Sequence, residues 1–386
     1  MTAGLRTFLF CLPLAALFGP PALVLWAGGE LMSPDRVAER QARRARLVLH
    51  GAAYTNSAIY VKMQGLARRA PQVLALGSSR TMQFRAGFFL PTVSFYNAGG
   101  TVARLIHFRG VLQRLPPERQ PEVLLIATDP YFFHPSFDKG HHDALGLGWL
   151  REQMDARPTG GEVFLADWWT VWRDIVGGKV DGDKLLGGRG LSDRIGLNAV
   201  CREQGFRNDG SYLYGSANLD ITQPRHRDYR FGDTLKQVSQ GTGRFAYGSE
   251  VSAAGLRELK ALLEECRARS IHVVGFLPPY PHEAWSAMEN LGPKYNYLWS
   301  LPASLRTAFE QHGFEFHDFS DFAWLGAPDS EAIDGFHGSE RTYLRLLISM
   351  LEQGSQLNRY ASLSQLQQIL ATAKSHTNIV PEALLP

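Results

Sequence analysis

Two short motifs hold the residue types best suited to covalent chemistry. The first, LGSSRT at 76–81, places Ser78 and Ser79 where a short apolar run ends and a helical pattern begins. A hydroxyl on such a turn is sharply presented, and the amides that open a helix can stabilise an oxyanion beside it. Serine at this place is also an ordinary helix cap. The second motif, IDGFHGSERTYLRLL at 333–347, sets Asp334 three residues before His337, just ahead of an apolar helix. At that spacing a carboxylate can hold the imidazole of its own motif in one tautomer, which is what a serine nucleophile's base requires. A surface Asp beside a capping His reads the same way. Jointly, Ser79, His337 and Asp334 supply nucleophile, base and orienting acid.

The elements that must position these residues are legible as apolar runs. Strand patterns occur at 73–76 (VLAL), 92–96 (TVSFY), 122–127 (EVLLIA), 271–277 (IHVVGFL) and 314–319 (FEFHDF). Helical spacing marks 102–115, 253–268, 301–311 and 340–353. Continuously apolar strands alternating with helices predict an α/β domain with a parallel sheet covered on both faces. Ligands of such sheets bind beyond the carboxyl ends of the strands. Attention therefore falls on residues 78–80, 97–101, Asp129, Pro279, Tyr280 and whatever follows Phe319. Residues 131–250 break the periodicity and are too long for a simple loop, so they read as an insertion that caps the site.

Composition sets the outer bounds. With 386 residues, 45% hydrophobic and 20% charged, the chain can build a sizeable core. A formal net charge of +3 gives no electrostatic reason to expect nucleic acid. Cys11, Cys201 and Cys266 have no metal-type spacing, and whether Cys201 and Cys266 pair stays open. His134, His141 and His142 with Asp138 and Asp143 lie in a Gly-rich stretch that suits solvated side chains better than a metal site. Trp168, Trp169 and Trp172 suit the apolar face of a helix, with stacking on a sugar as the alternative. No metal and no cofactor are expected.

Residues 7–27 (TFLFCLPLAALFGPPALVLWA) carry no charge and are long enough to cross a hydrocarbon layer of about 30 Å. Pro13, Pro20 and Pro21 are tolerated better in lipid than in water. Leu25 and Trp26 before Ala27 leave no small-x-small cleavage site there, which favours a retained anchor over a cleaved signal peptide. Arg36, Arg40, Arg43, Arg44 and Arg46 follow the apolar segment, whereas only Arg6 precedes it. By the positive-inside rule the main domain would face the cytoplasm, unless residues 34–48 form a basic helix on anionic headgroups. The organisation expected is an anchor at 1–30, a basic stem at 31–70, a catalytic domain at 71–355 carrying the insertion, and a tail at 356–386.

A serine after the first strand and a DxxH before the last helix resemble the blocks of the SGNH/GDSL hydrolase superfamily. Gly77-Ser78-Ser79 is similar to its Gly-Asp-Ser block with Ser in place of Asp, and Asp334 and His337 match its C-terminal Asp-x-x-His. YNAGG at 96–100 resembles the second block, which implies an oxyanion amide from Gly100 or Gly99. The third block, Gly-x-Asn-Asp, is replaced by ATDPYFF with Asp129 and no Asn. Asn97 or Arg80 would then have to supply the missing donor, with Asp129 structural or acceptor-binding. The resemblance implies a flavodoxin-like five-stranded sheet. With the anchor, it is closer still to the membrane-anchored SGNH-like proteins that accompany membrane-bound O-acyltransferases, such as those of alginate O-acetylation and D-alanyl transfer. It covers roughly 70–130 and 250–350. It implies transfer of an acyl group, acetyl by preference, onto an exported glycan. A membrane-bound O-acyltransferase would be the partner, and the domain would lie outside the cytoplasmic membrane. An esterase or deacetylase of the same glycans needs the same triad, and a catalytically silent scaffold of an export complex is the reading of another class.

Overall fold

Five apolar runs become five strands because each is buried on both faces and must satisfy its backbone laterally. In the computed structural model, which describes residues 3–44, 46–139, 146–187 and 193–380, these are β1 (Val73–Gly77), β2 (Phe95–Gly99), β3 (Val123–Ala127), β4 (His272–Leu277) and β5 (Glu315–Asp318). All neighbours are parallel, in the order β2-β1-β3-β4-β5, with Val73 opposite both Phe95 and Val123. This is a doubly wound order of the flavodoxin type, with its switch point between β1 and β3.

The pleat sends alternate side chains into two cores. Leu74, Leu76, Leu124 and Ile126 enter one core, with helices α3 (Ala58–Arg69), α4 (Leu105–Gln113), α6 (Ala253–Ala268) and α7 (Asn296–Gln311) packed over it. Val73, Ala75, Val123 and Leu125 enter the other, under α8 (Glu340–Glu352) and the C-terminal segment through Leu366 and Val380. β2 runs to Gly99 and not to Tyr96 as the apolar run suggested, because Asn97, Ala98 and Gly99 pair in register with Ala75, Leu76 and Gly77. Helix α7 starts at Asn296, ahead of the expected 301, with Pro302 inside it.

The N-terminal 70 residues are arranged differently from a simple anchor and stem. Helix α1 (Ala3–Ala27) contains an 18-residue window, Phe10–Ala27, of mean hydropathy 1.8, long and apolar enough to cross a membrane. Its last turns are already part of the body, since Val24 and Leu25 pack with Val163, Val171 and Leu197. The stretch expected as a stem folds into the globule. Val37 and Ala38 of α2 (Pro34–Arg43) are buried with Tyr60 and Val61, and Ile59, Met63 and Leu66 of α3 join the main core. The amphipathic spacing of residues 58–69 is a core pattern that the surrounding arginines obscured.

The insertion supplies structure of its own. Its short strands Arg194–Ile195, Gly205–Phe206 and Tyr212–Leu213 complete a four-stranded sheet with Leu49–His50. Helix α5 (Gly160–Val176) opens on a Thr159/Glu162 capping box and lies along α1. Phe18 of α1 packs on Phe164 and Trp168, and the Trp172 Nε1–H donates to the Leu17 carbonyl at 2.5 Å. Trp168 and Trp172 therefore pack on α1, and Trp169 is 58% exposed, where core packing was expected. Cys11, Cys201 and Cys266 are all free thiols, with Cys266 buried in the main core. His134 accepts from Ser136 at Nδ1, and its Nε2 lies 2.8 Å from the Tyr247 carbonyl. His141, His142 and Asp143 lie outside the described residues. Among the described residues no cluster of three His, Cys, Asp or Glu is placed to hold a metal.

Candidate active site

The end of β1 is shaped by what returns over it. A Cβ on Gly77 would sit 2.1 Å from Thr81 Oγ1, so only glycine lets the chain fold back so closely. A three-residue 3-10 turn, Ser79–Thr81, follows where a full helix was expected. Ser78 caps it, its Oγ accepting from the Arg80 amide at 3.1 Å. The two adjacent serines thus divide the roles that the sequence left open. Ser78 is buried in the turn, and half-buried Ser79 is free to face outward from the strand end.

Ser79 Oγ lies 2.8 Å from His337 Nε2. On the far side of the ring, His337 Nδ1 lies 2.9 and 3.0 Å from the two carboxylate oxygens of Asp334. Asp334 Oδ1 also accepts from the amides of Phe336 at 2.9 Å and His337 at 2.8 Å, which locks the DGFH turn around its own carboxylate. Burial alone would raise the Asp334 carboxyl. His337, the Arg227 guanidinium and the Phe336 amide outweigh it and hold the group well below the usual carboxylate range. A carboxyl held low in this way favours its anionic form, the form that orients an imidazole.

The insertion clamps this turn from outside. Arg227 contacts Asp334 Oδ2, and neighbouring Asp228 accepts from the Gly335 amide at 2.8 Å and from Thr234 Oγ1 at 2.7 Å. The buried ring of Tyr214 lies 6.3 Å from that of His337, and burial pushes its phenol well above its ordinary value. Beneath the turn, four wholly buried charges close on one another. Glu340 takes Arg85 at 2.8 Å and Arg207 at 2.5 Å, and Arg85 reaches Asp209 at 3.5 Å. Burial would raise the Glu340 and Asp209 carboxyls, but the two guanidiniums hold both low. Two cations against two anions make the cluster neutral, which a dry interior demands. None of these insertion residues was legible as part of the site. The one signal was RNDGS at 207–211, charged residues among aromatics in an otherwise irregular stretch.

The residues expected to form an oxyanion hole are occupied otherwise. The Gly99 amide donates to Asn97 Oδ1 at 2.8 Å, and the Gly100 amide donates to the carbonyls of Gly77 and Ser78, each at 2.9 Å. Asn97 sends its own amide to the Thr81 and Phe84 carbonyls at 3.0 and 2.9 Å. Gly99, Gly100 and Asn97 thus fasten the β2 end to the serine turn and do not point donors into the site. Lys62, pushed down to about 7 by burial, grips the same loop through the Gly99 carbonyl. Arg80 is likewise spent on structure. It donates to the Pro278 and Pro279 carbonyls at 2.9 and 2.7 Å, and its guanidinium lies 4.1 Å from the Tyr280 ring centre and 4.5 Å from that of Phe336. Asp129, 3.4 Å from Arg80, is fully buried, and desolvation raises its carboxyl although Arg80 and Ser78 pull it back. Among the described residues the Ser79 amide meets no acceptor, which leaves it as the donor nearest the nucleophile.

Such a site can generate an alkoxide equivalent at Ser79 and return the proton to a leaving group through His337. Searches against family models, curated proteins and solved structures find no match for this chain.

Proposed function

We propose that the chain is a membrane-anchored SGNH-like O-acyltransferase that modifies an exported polysaccharide or cell-envelope glycan. The observation that carries the reading is the unbroken path from Ser79 Oγ to His337 Nε2 at 2.8 Å and from His337 Nδ1 to Asp334 at 2.9 Å, set at the carboxyl end of a parallel sheet. His337 takes the Ser79 proton as Oγ attacks the carbonyl of a donor delivered by a membrane-bound O-acyltransferase. The donor's leaving group departs with that proton, and an ester remains on Ser79. A glycan hydroxyl, deprotonated in turn by His337, attacks the ester and releases Ser79 with its proton restored. Asp334 holds the imidazole and stabilises its cation in both halves. The Ser79 amide stabilises each oxyanion, and one such donor is worth about 3 kcal/mol of barrier.

A domain outside the cytoplasmic membrane follows from this substrate, with α1 as its anchor. An esterase that uses water in place of the glycan is the second reading. What favours it is the half-exposed Ser79, since a transferase must shield its ester from water. The test is to treat the full chain with p-nitrophenyl acetate and follow the Ser79 peptide by mass spectrometry. A transferase acylates Ser79 in a burst, turns over slowly and releases the acyl group faster when an oligosaccharide is added, with acyl sugar as product. Rapid hydrolysis indifferent to every acceptor selects the esterase. No adduct on a folded chain selects the silent scaffold. Alkaline phosphatase fused to the C-terminus should be active; an inactive fusion overturns the outward topology.

A further inference from the structure

Helix α5 is apolar on two faces. One, through Val163 and Val171, is buried against Val24, Leu25 and Leu197. The other repeats at the spacing i, i+4, i+7, i+11 as Leu165, Trp169, Trp172 and Val176, a single stripe along the helix. Leu165 is 74% and Val176 81% exposed, Trp169 is bare as well, and Trp172 is half-buried against α1. A surface helix needs one apolar face for its core, so a second one left open asks for a cover. Among the described residues, the exposed large apolar side chains gather on α1, on α5 and at Leu186 of the short helix Gly182–Leu186, which also contacts α1. Only Tyr229 and Trp324 lie on other elements.

What α5 runs beside identifies the cover. A Cβ on Gly160 would sit 2.9 Å from the Leu31 carbonyl, Phe164 and Trp168 pack on Phe18, and Trp172 bonds to Leu17. Helix α5 is thus antiparallel to α1 and follows it from beyond its end back to its middle. Leu17 lies ten residues before Ala27, about 15 Å of helix, or half of a hydrocarbon layer of about 30 Å. An α1 that enters lipid therefore carries α5 with it. Lys179, Asp181 and Lys184 follow α5 directly and belong among headgroups, so α5 lies near the surface of the leaflet and α1 leans with it. The flanks of the stripe agree. Arg173 is exposed beside it, with a stem long enough to hold the charge at headgroup level, while Glu162 is engaged in the capping box with Thr159. Tryptophan favours the same depth. A sugar would find no hydrogen-bonding group on Leu165 or Val176.

We propose that α5 is a second membrane contact of this chain, with Leu165, Trp169, Trp172 and Val176 seated among the acyl chains of the leaflet on the domain's side. The proposal rests on the reading of α1 as an anchor, and a probe on α1 tests that premise separately. It does not require the triad to react. A single helix leaves a domain free to swivel about its anchor, whereas two contacts fix which side of the domain faces the lipid.

The test places a nitroxide on the full chain in vesicles of phosphatidylethanolamine and phosphatidylglycerol, with Cys11→Ser and Cys201→Ser removing the two thiols that are not buried. Leu165→Cys, Val176→Cys, Leu14→Cys and Trp324→Cys are labelled one at a time, and circular dichroism certifies each fold. Oxygen, which concentrates in lipid, and a nickel chelate, which stays in water, are compared by the relaxation of each label. The oxygen-to-nickel ratio at positions 165 and 176 should exceed that at 324 several-fold and approach that at 14. A high ratio at 14, with 165 and 176 matching 324, overturns the second contact and leaves the anchor standing. A ratio at 14 as low as that at 324 overturns both. Labels at 165 and 176 that are shielded from both reagents and broadened by each other's spins would mean that a second copy covers the stripe, and that also overturns the proposal.

Discussion

Among the described residues two Ser-His-Asp groupings occur, and their surroundings differ. One is Ser79, His337 and Asp334. In the other, Ser286 Oγ lies 3.4 Å from His282 Nε2, and His282 Nδ1 lies 2.9 Å from Asp321. Connectivity alone does not separate them. In the first, the His337 and Asp334 side chains are 11% and 8% exposed, and the carboxylate is held by two amides and a guanidinium. In the second, His282 is 55% exposed, and Ser286 sits one helical turn further along the same helix. Asp321 is buried, but the Ser286 hydroxyl and the His282 ring meet at the exposed side of the helix, where water competes for their contact. What sets the Ser79 grouping apart is its position beyond a strand end, a locked imidazole and a dry foundation, more than the three residue types.

That contrast can be broken experimentally. The largest effect should come from Ser79→Ala or His337→Ala, each lowering acyl transfer from p-nitrophenyl acetate by about 10⁶-fold with the fold intact by circular dichroism. Activity surviving in Ser79→Ala would move the chemistry elsewhere, and Ser286 would be the first place to look. Asp334→Asn should cost about 10⁴-fold, because nucleophile and base remain while the imidazole loses its preferred tautomer. Next comes Glu340→Gln, which strips the counter-charge from Arg85 and Arg207. It should lower stability to urea by about 3–5 kcal/mol, whereas Asp321→Asn under the surface grouping should cost about 1 kcal/mol or less. A small loss for Glu340→Gln would mean that the buried charges are not the footing of the site.

The smallest effect is a difference of sign with pH. The Asp334 carboxyl is depressed when folded, so its contribution is present above its ordinary value of 3.8 and is lost as pH falls through the lowered one. The His282 imidazole is raised by its bond to Asp321, so its contribution is full below the ordinary 6.5 and disappears as pH rises through the folded value. Urea midpoints measured from pH 2 to 9 should fall less steeply at the acid end in Asp334→Asn, and should lose a shallow decline near neutrality in His282→Gln. Slopes of the same sign at both places would contradict this account.

The strands and most helices were legible because buried parallel strands are written as unbroken apolar runs, as in VLLIA at 123–127. Ser79, Asp334 and His337 were legible because strand ends and short-range spacing are properties of sequence. The rest depended on distance in the chain. Which of two adjacent serines caps the turn was decided by how Gly77 lets Thr81 return. Gly99 and Gly100 looked like donors, yet their amides were already committed to Asn97 and to the serine turn. Arg227 and Asp228 sit in a stretch without periodicity, and nothing local connects them to residues 334–335. The three N-terminal prolines marked α1 as unusual, but nothing in the tryptophan spacing indicated that α5 would lie against it.

The buried charges under the Asp334–His337 turn also bear on how the chain is made. Glu340 follows Arg85 by 255 positions and Arg207 by 133, so the ribosome delivers both guanidiniums long before their shared carboxylate. Without Glu340, burying Arg85 and Arg207 would set two guanidiniums against Asp209 alone, a charge imbalance that a dry interior penalises. Closure then requires contacts of long sequence separation, the slow class in folding, and it comes near the end of synthesis. The turn that carries Ser79 is therefore complete only once residues 334–340 have joined it.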